Sequence, residues 1–114
     1  MTDTPSDLVQ GTLDMMILKI LALEPLHGFG ITRRVEQVSK GVFLPNPGSL
    51  LPALRRMERT GWVRGSWRTT ANNRRARYYA ITEQGRLALA RETREWERQV
   101  GAVARILQMS KGVA

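Results

Sequence analysis

Apolar positions recur along this chain with a helical period through its first half, change to a period of two, and then become helical again. Leu13, Met16, Ile17, Ile20 and Leu21 fall at i, i+3, i+4, i+7 and i+8, the stripe of an amphipathic helix that residues 7–12 lead into. Pro25 predicts its end near Glu24, because a proline ring disfavours helical backbone in the residue before it. His27-Gly28-Phe29-Gly30 reads as a tight link into a short second helix, with Ile31, Val35 and Val38 inward, Arg33, Arg34 and Glu36 outward, and Gly41 closing it. His27 is expected to cap or orient the start of that helix; as the one side chain titrating near neutrality, its alternative role is a pH sensor.

A third helix follows the turn Asn46-Pro47-Gly48-Ser49, with Ser49 as its expected N-cap and Pro52 in its first turn, where a missing N–H costs little. Leu50, Ala53, Leu54 and Met57 share one side; Pro52, Arg55, Arg56 and Arg59 share the opposite arc, and Thr60-Gly61 ends the helix. Residues 62–68 (WVRGSWR) and 77–81 (RYYAI) are aromatic and β-branched and read as two strands of a hairpin, joined by an eight-residue basic loop, TTANNRRA. Tyr79 and Ile81 are expected in the core and Tyr78 outside, with Trp62 and Trp67 packing in the core and at the base of the hairpin. Thr82 then caps a final helix over 83–107, where Leu89, Thr93, Trp96, Val100, Val103 and Leu107 keep a heptad spacing. Helices one to three and the hairpin already close a core, so this narrow stripe is expected to pair with a second copy through Leu89, Trp96, Val100, Val103 and Leu107. Trp96 is also a candidate wall of a small-molecule effector pocket between paired helices, plain dimer core being its alternative.

Composition narrows what such a chain can do. Its 114 residues suffice for one domain with an appendage, and 42% apolar with 25% charged residues is ordinary for a folded globular chain. The charge is not ordinary: +8, with a pI near 11.3, points to a polyanionic partner. No cysteine and one histidine exclude disulfides, thiolate metal sites and histidine-rich metal sites, so neither metal nor cofactor is expected. The acids are scattered or lie on the final helix, and the glycines form no GxGxxG or Walker pattern, which argues against an enzyme. The first ten residues carry two aspartates and no Lys or Arg, unlike a secretion signal, and the apolar run 15–23 is interrupted by Lys19 and too short for a bilayer. A cytoplasmic location with no membrane partner is the expectation.

Position of the charge matters more than its total. Residues 55–77 hold eight arginines, no lysine and one acid, Glu58, and so carry seven of the eight net charges. Arginine's planar fork of donors suits phosphates and guanine edges. A solvated basic face is the alternative for such a run. Three helices followed by a hairpin is the order of a winged helix-turn-helix, in which the third helix enters the major groove and the hairpin tip, the wing, lies on the backbone or in the minor groove. The arginines fall where that geometry needs them: Arg55, Arg56 and Arg59 on the third helix, and Arg74, Arg75 and Arg77 at the wing. The predicted fold is mainly α with a small β-hairpin, a winged helix-turn-helix domain over 1–81 and a C-terminal dimerisation helix over 82–110.

The segments HGFGI (27–31), NPGSLLPALRRME (46–58), GWVRG (61–65), NNRRARYYAIT (72–82) and TEQG (82–85) resemble, in order and spacing, the PadR family of bacterial transcriptional regulators, over about residues 8–107. The short remainder after the hairpin resembles the subgroup with a single C-terminal helix. The resemblance implies a winged helix-turn-helix homodimer, usually a repressor on pseudo-palindromic operators and often relieved by a small effector. It also implies DNA contacts from Ser49, Pro52 and Arg55 on the third helix and from Asn73, Arg74, Arg75 and Arg77 on the wing. Leu51 departs from the family pattern, which usually has Tyr in GSLYPAL; a hydroxyl there would reach a phosphate, and leucine has packing as its alternative. Phe29 likewise stands where Tyr is usual. The rival to sequence-specific duplex binding is a protein that binds RNA or DNA without sequence preference.

Overall fold

The computed structural model describes residues 6–111; the first five residues, part of the opening segment that argued against a secretion signal, lie outside it. Helix α1 (Ser6–Leu23) is followed by a two-residue strand β1 (Leu26–His27), α2 (Gly28–Val38), α3 (Pro47–Thr60), the strands β2 (Val63–Thr69) and β3 (Arg75–Ile81), and α4 (Glu83–Leu107). The fold is mainly helical, as the periodicity predicts. Its sheet has three strands rather than two, in the order β1-β3-β2, all antiparallel. A two-residue strand has no periodicity to read; Leu26 and His27 become a strand only by pairing with Tyr79 and Tyr78.

Ile17, Leu18 and Leu21 of α1, Ile31 and Val35 of α2, and Leu50, Ala53, Leu54 and Met57 of α3 bury one continuous core, which Val63 and Tyr79 close from the sheet. Apolar burial of this kind contributes about 25 cal/mol per Å² removed from water. His27 caps α2 as expected, its Nδ1 accepting from the Gly30 N–H at 3.0 Å. The α3 cap differs from the expectation. Asn46, not Ser49, is the N-cap, its Oδ1 accepting from the Ser49 N–H at 3.0 Å, and Pro47 rather than Pro52 occupies the first helical position. Pro47 has no N–H to leave unsatisfied and its fixed φ suits the first turn, so the helix starts one residue after Asn46. Pro52 therefore lies inside the helix, on its exposed side. Gly61 ends α3 in the left-handed region, at φ 89°.

Thr82 ties the sheet to the last helix. Its Oγ1 accepts from the Gly85 N–H at 3.0 Å and donates to the Gly61 carbonyl at 2.6 Å. Gly85 sits so close to the Trp62 carbonyl oxygen that a Cβ would stand 2.1 Å from it. Only glycine allows that approach, and it fixes where α4 leaves the body. Ala88 is buried and Leu89 packs on the core, Thr93 and Trp96 still border residues of α1 and the α2–α3 loop, and past them α4 projects, giving extents of 63 × 28 × 24 Å. No helix among the described residues is long and apolar enough to cross a membrane.

Candidate nucleic-acid interface

Burial along α3 separates two faces. Leu50, Ala53, Leu54 and Met57 face the core, while Pro47, Gly48, Ser49, Leu51, Pro52, Arg55, Arg59 and Thr60 are exposed. Arg56, expected on the outward arc, is not in that row. It follows Ala53 by three positions, which turns it toward α1, and its guanidinium forms an ion pair with the mostly buried carboxylate of Asp14. Burial holds the Asp14 carboxyl above its ordinary range, with the Arg56 hydrogen bond and charge pulling the other way.

The wing has one apolar-to-basic face. Val63, Gly65, Trp67 and Thr69 of β2 lie opposite Ile81, Tyr79, Arg77 and Arg75 of β3. Period two places all eight on one side of the sheet, buried at Val63 and Tyr79 and exposed toward the tip. The ladder reaches Thr69 and Arg75, so the loop is five residues long, not eight. Backbone pairing is indifferent to the polarity of Thr69 and Arg75, which is why the polar composition of this stretch reads as loop. Asn73 turns the tip at φ 62°, a left-handed conformation that Asn tolerates better than most residues, and its N–H donates to the Thr70 carbonyl at 2.9 Å. Trp67 is 57% exposed rather than packed into the base of the hairpin. It acts as a platform: the guanidinium groups of Arg75 and Arg77 lie 5.0 and 5.7 Å from its ring centroid. On the other face Arg68 lies 4.9 Å over Tyr78.

Arg77 crosses Gly65 to reach α3, where its Nη2 meets Glu58 Oε2 at 2.6 Å. A side chain at Gly65 would collide with that guanidinium, 2.7 Å away. Glycine here opens the path along which the wing is tied to α3. The candidate DNA-contact residues thus fall into two sets. Ser49, Pro52, Arg55, Arg59, Asn73, Arg74 and Arg75 are exposed, whereas Arg56 and Arg77 are half-buried and engaged by acids. Between the start of α2, the first turns of α3 and the wing lies a cleft of about 510 Å³, lined by Phe29 and Leu51 on one side and Arg74, Arg75 and Arg77 on the other. It brings third-helix and wing residues to one surface. Phe29, 68% exposed, carries Arg33 at 5.6 Å over its ring.

On another side, Trp96 borders two apolar grooves, of about 890 and 420 Å³, which share Met16 and Phe43 in their walls. Past Thr93, which is half-buried, the heptad stripe is bare: Trp96, Val100, Val103 and Leu107 are all exposed, Leu107 at 79%. Phe43 and Leu44 are not among the sequence-derived candidates, although an apolar VFL run in a loop signals a surface awaiting cover.

Comparison with known proteins follows the same lines. Residues 17–91 match the Transcriptional regulator PadR-like family. A protein of Lysinibacillus sphaericus is 23% identical over 91 residues, 80% of this chain and 84% of its own length. A 37.1 kDa protein of a Streptomyces fradiae transposon is 40% identical over 89 residues, 78% of this chain but only 24% of its own length. Among solved structures, a transcriptional regulator from Clostridium thermocellum superposes with a TM-score of 0.81 at 22% identity, covering 90% of this chain and 99% of that one. A PadR-like transcriptional regulator from Bacillus cereus gives 0.76 at 23% identity, over 91% and 99% of the two chains. The chain belongs to the PadR family: it is a transcriptional regulator with a mainly helical, winged fold, and not an enzyme.

Proposed function

We propose that this regulator binds duplex DNA sequence-specifically in the cytoplasm, as a homodimeric repressor on a pseudo-palindromic operator, with α3 in the major groove and the wing on the backbone. The observation that carries this reading is the cleft shared by α3 and the wing. Leu51 of α3 faces Arg74 and Arg75 of the wing across it, Arg55 and Arg59 are exposed further along α3 outside its lining, and Glu58, the acid within this stretch, is already occupied by Arg77. A duplex lying across that surface would meet positive charge from two elements, α3 and the wing. In this reading residues 1–81 form the DNA-binding domain and 82–110 the dimerisation helix. Ser49, Pro52, Arg55, Arg59, Asn73, Arg74 and Arg75 touch DNA, and Arg56 and Arg77 hold the two contacting elements in place.

Dimerisation is supported by the bare stripe of Trp96, Val100, Val103 and Leu107, which continues the packed Leu89 away from the body. A second copy would cover it and the adjoining grooves. Trp96 would then face both the partner and any small-molecule effector admitted between the helices. Selection of bound duplexes from a random pool with purified protein tests the reading as a whole. A two-fold-symmetric motif with half-sites about 10 bp apart, or a multiple of that, is the expected result. Equal affinity for duplex DNA, duplex RNA and single strands would instead favour a protein without sequence preference.

A further inference from the structure

The solvent-facing side of α3 is short of the groups that usually read bases. Eight residues of the helix are exposed, and four of them, Pro47, Gly48, Leu51 and Pro52, offer no side-chain donor or acceptor. Ser49 belongs to the first turn, and Arg55 and Arg59 lie about one and two turns beyond Leu51. At the centre of the N-terminal half, the part of a recognition helix that goes deepest into the groove, stands Leu51, 39% exposed. Leu51 is braced: a Cβ on Gly28 would touch its Cδ2 at 3.8 Å, so its side chain rests against the first turn of α2 with its outer edge in the cleft. Among the edges that base pairs show in the major groove, one group is apolar, the C5 methyl of thymine.

We propose that Leu51 is a specificity-determining residue that selects thymine in each half-site by covering its C5 methyl, with Pro52 as the flanking apolar surface. The arginines around it attract any duplex; Leu51 makes a cytosine or guanine at that position leave a polar edge against a hydrocarbon side chain. The selectivity for T is one of methyl burial and not of hydrogen bonding. This inference rests on the duplex-DNA reading above.

Replacing thymidine by deoxyuridine removes the methyl and leaves every donor and acceptor unchanged. Duplexes selected from the random pool are therefore remade with deoxyuridine at each thymidine in turn and their affinities measured with the full chain. At one position per half-site the substitution should weaken binding about four-fold, and about fifteen-fold when both half-sites are changed, the factors that burial of one methyl and of two would give. Leu51→Ala, an exposed change to the best helix former, should bind the thymidine and deoxyuridine duplexes alike. Equal affinity of the unmodified protein for all of these duplexes would overturn the role of Leu51 while leaving duplex binding intact. A thymidine preference that survives in Leu51→Ala would overturn it as well. Failure to bind any duplex would overturn the DNA-binding reading itself, and this inference with it.

Discussion

Arg56 and Arg77 belong to the same basic stretch as Arg74 and Arg75, yet the fold puts them to a different use. Arg74 and Arg75 stand at the exposed tip of the wing, Arg75 resting on the Trp67 ring. Arg56 lies between α3 and α1 on Asp14, and Arg77 lies between the wing and α3 on Glu58. An acid within reach converts an arginine from a free cation into a strut. It also removes that arginine from the count available to phosphates. Seven net charges in a line of sequence therefore overstate the grip: of the six arginines there that no acid among the described residues engages, Arg64 and Arg68 lie along strand β2, which leaves Arg55, Arg59, Arg74 and Arg75, four per chain, on α3 and at the wing tip. If all four meet phosphates in a dimer, the slope of log K against log salt should be about −7.

The sharpest way to break this division is to reverse its free members. Arg74→Glu with Arg75→Glu should lower affinity for the selected duplex at least about 100-fold at moderate salt, because four phosphate contacts of a dimer become repulsions. Thermal stability should hardly change, since both side chains sit at the exposed end of the hairpin. Titration by fluorescence anisotropy beside a melting curve reads both. A large fall in melting temperature with unchanged affinity would invert the assignment of these residues.

The corresponding change in the engaged set should do the opposite. Arg56→Ala leaves the Asp14 carboxylate mostly buried without its guanidinium, and should cost about 1–2 kcal/mol of stability at pH 7. The cost should depend on pH in a definite direction. The Asp14 carboxyl is already raised above 3.8 by burial, and loss of Arg56 raises it further. The folded variant then takes up a proton at higher pH than its unfolded chain, so acidification through that window favours the fold at this site. Denaturant melts of variant and parent should converge as pH falls from 7 toward about 4. A deficit that stays constant over this range would mean that Asp14 is not the group left exposed to the loss.

These two classes of arginine also mark how far the chain could be read without its structure. The heptad spacing from Leu89 to Leu107 and the Thr82 cap define α4 to the residue, and Gly61 ends α3 where a C-terminal glycine should. Those signals are local. The start of α3 was legible too, because an Asn-Pro pair places the cap before the proline, yet a serine three residues on competes for the same role. The pairing of Arg56 with Asp14 was not legible: the two are 42 residues apart, and only the packing of α1 on α3 brings them together. Strand β1 is of the same kind, made by its partner rather than by its own sequence. For the site, helix periodicity found the outward residues Pro52, Arg55 and Arg59. It could not separate Arg56 from them, because a few tens of degrees around the axis decide between solvent and a neighbouring helix.

Arg77 offers the finest test, since it is the engaged arginine nearest the free ones. Its guanidinium sits on the same Trp67 ring as Arg75 and in the same cleft, held by Glu58. Glu58→Ala removes the acid and keeps a good helix former in α3. If Glu58 withholds Arg77 from DNA, each chain of the variant gains one phosphate contact. The salt slope should then steepen by about 2 in a dimer, from about −7 to about −9, with a modest gain in affinity at low salt. If Glu58 instead aims the wing by fixing Arg77, the variant should lose affinity while its slope stays near −7, because the number of phosphates met is unchanged and only their alignment suffers. Slope and affinity move in the same sense under the first account and separate under the second. A salt titration of this one variant therefore decides whether an ion pair between wing and recognition helix subtracts from the grip or positions it.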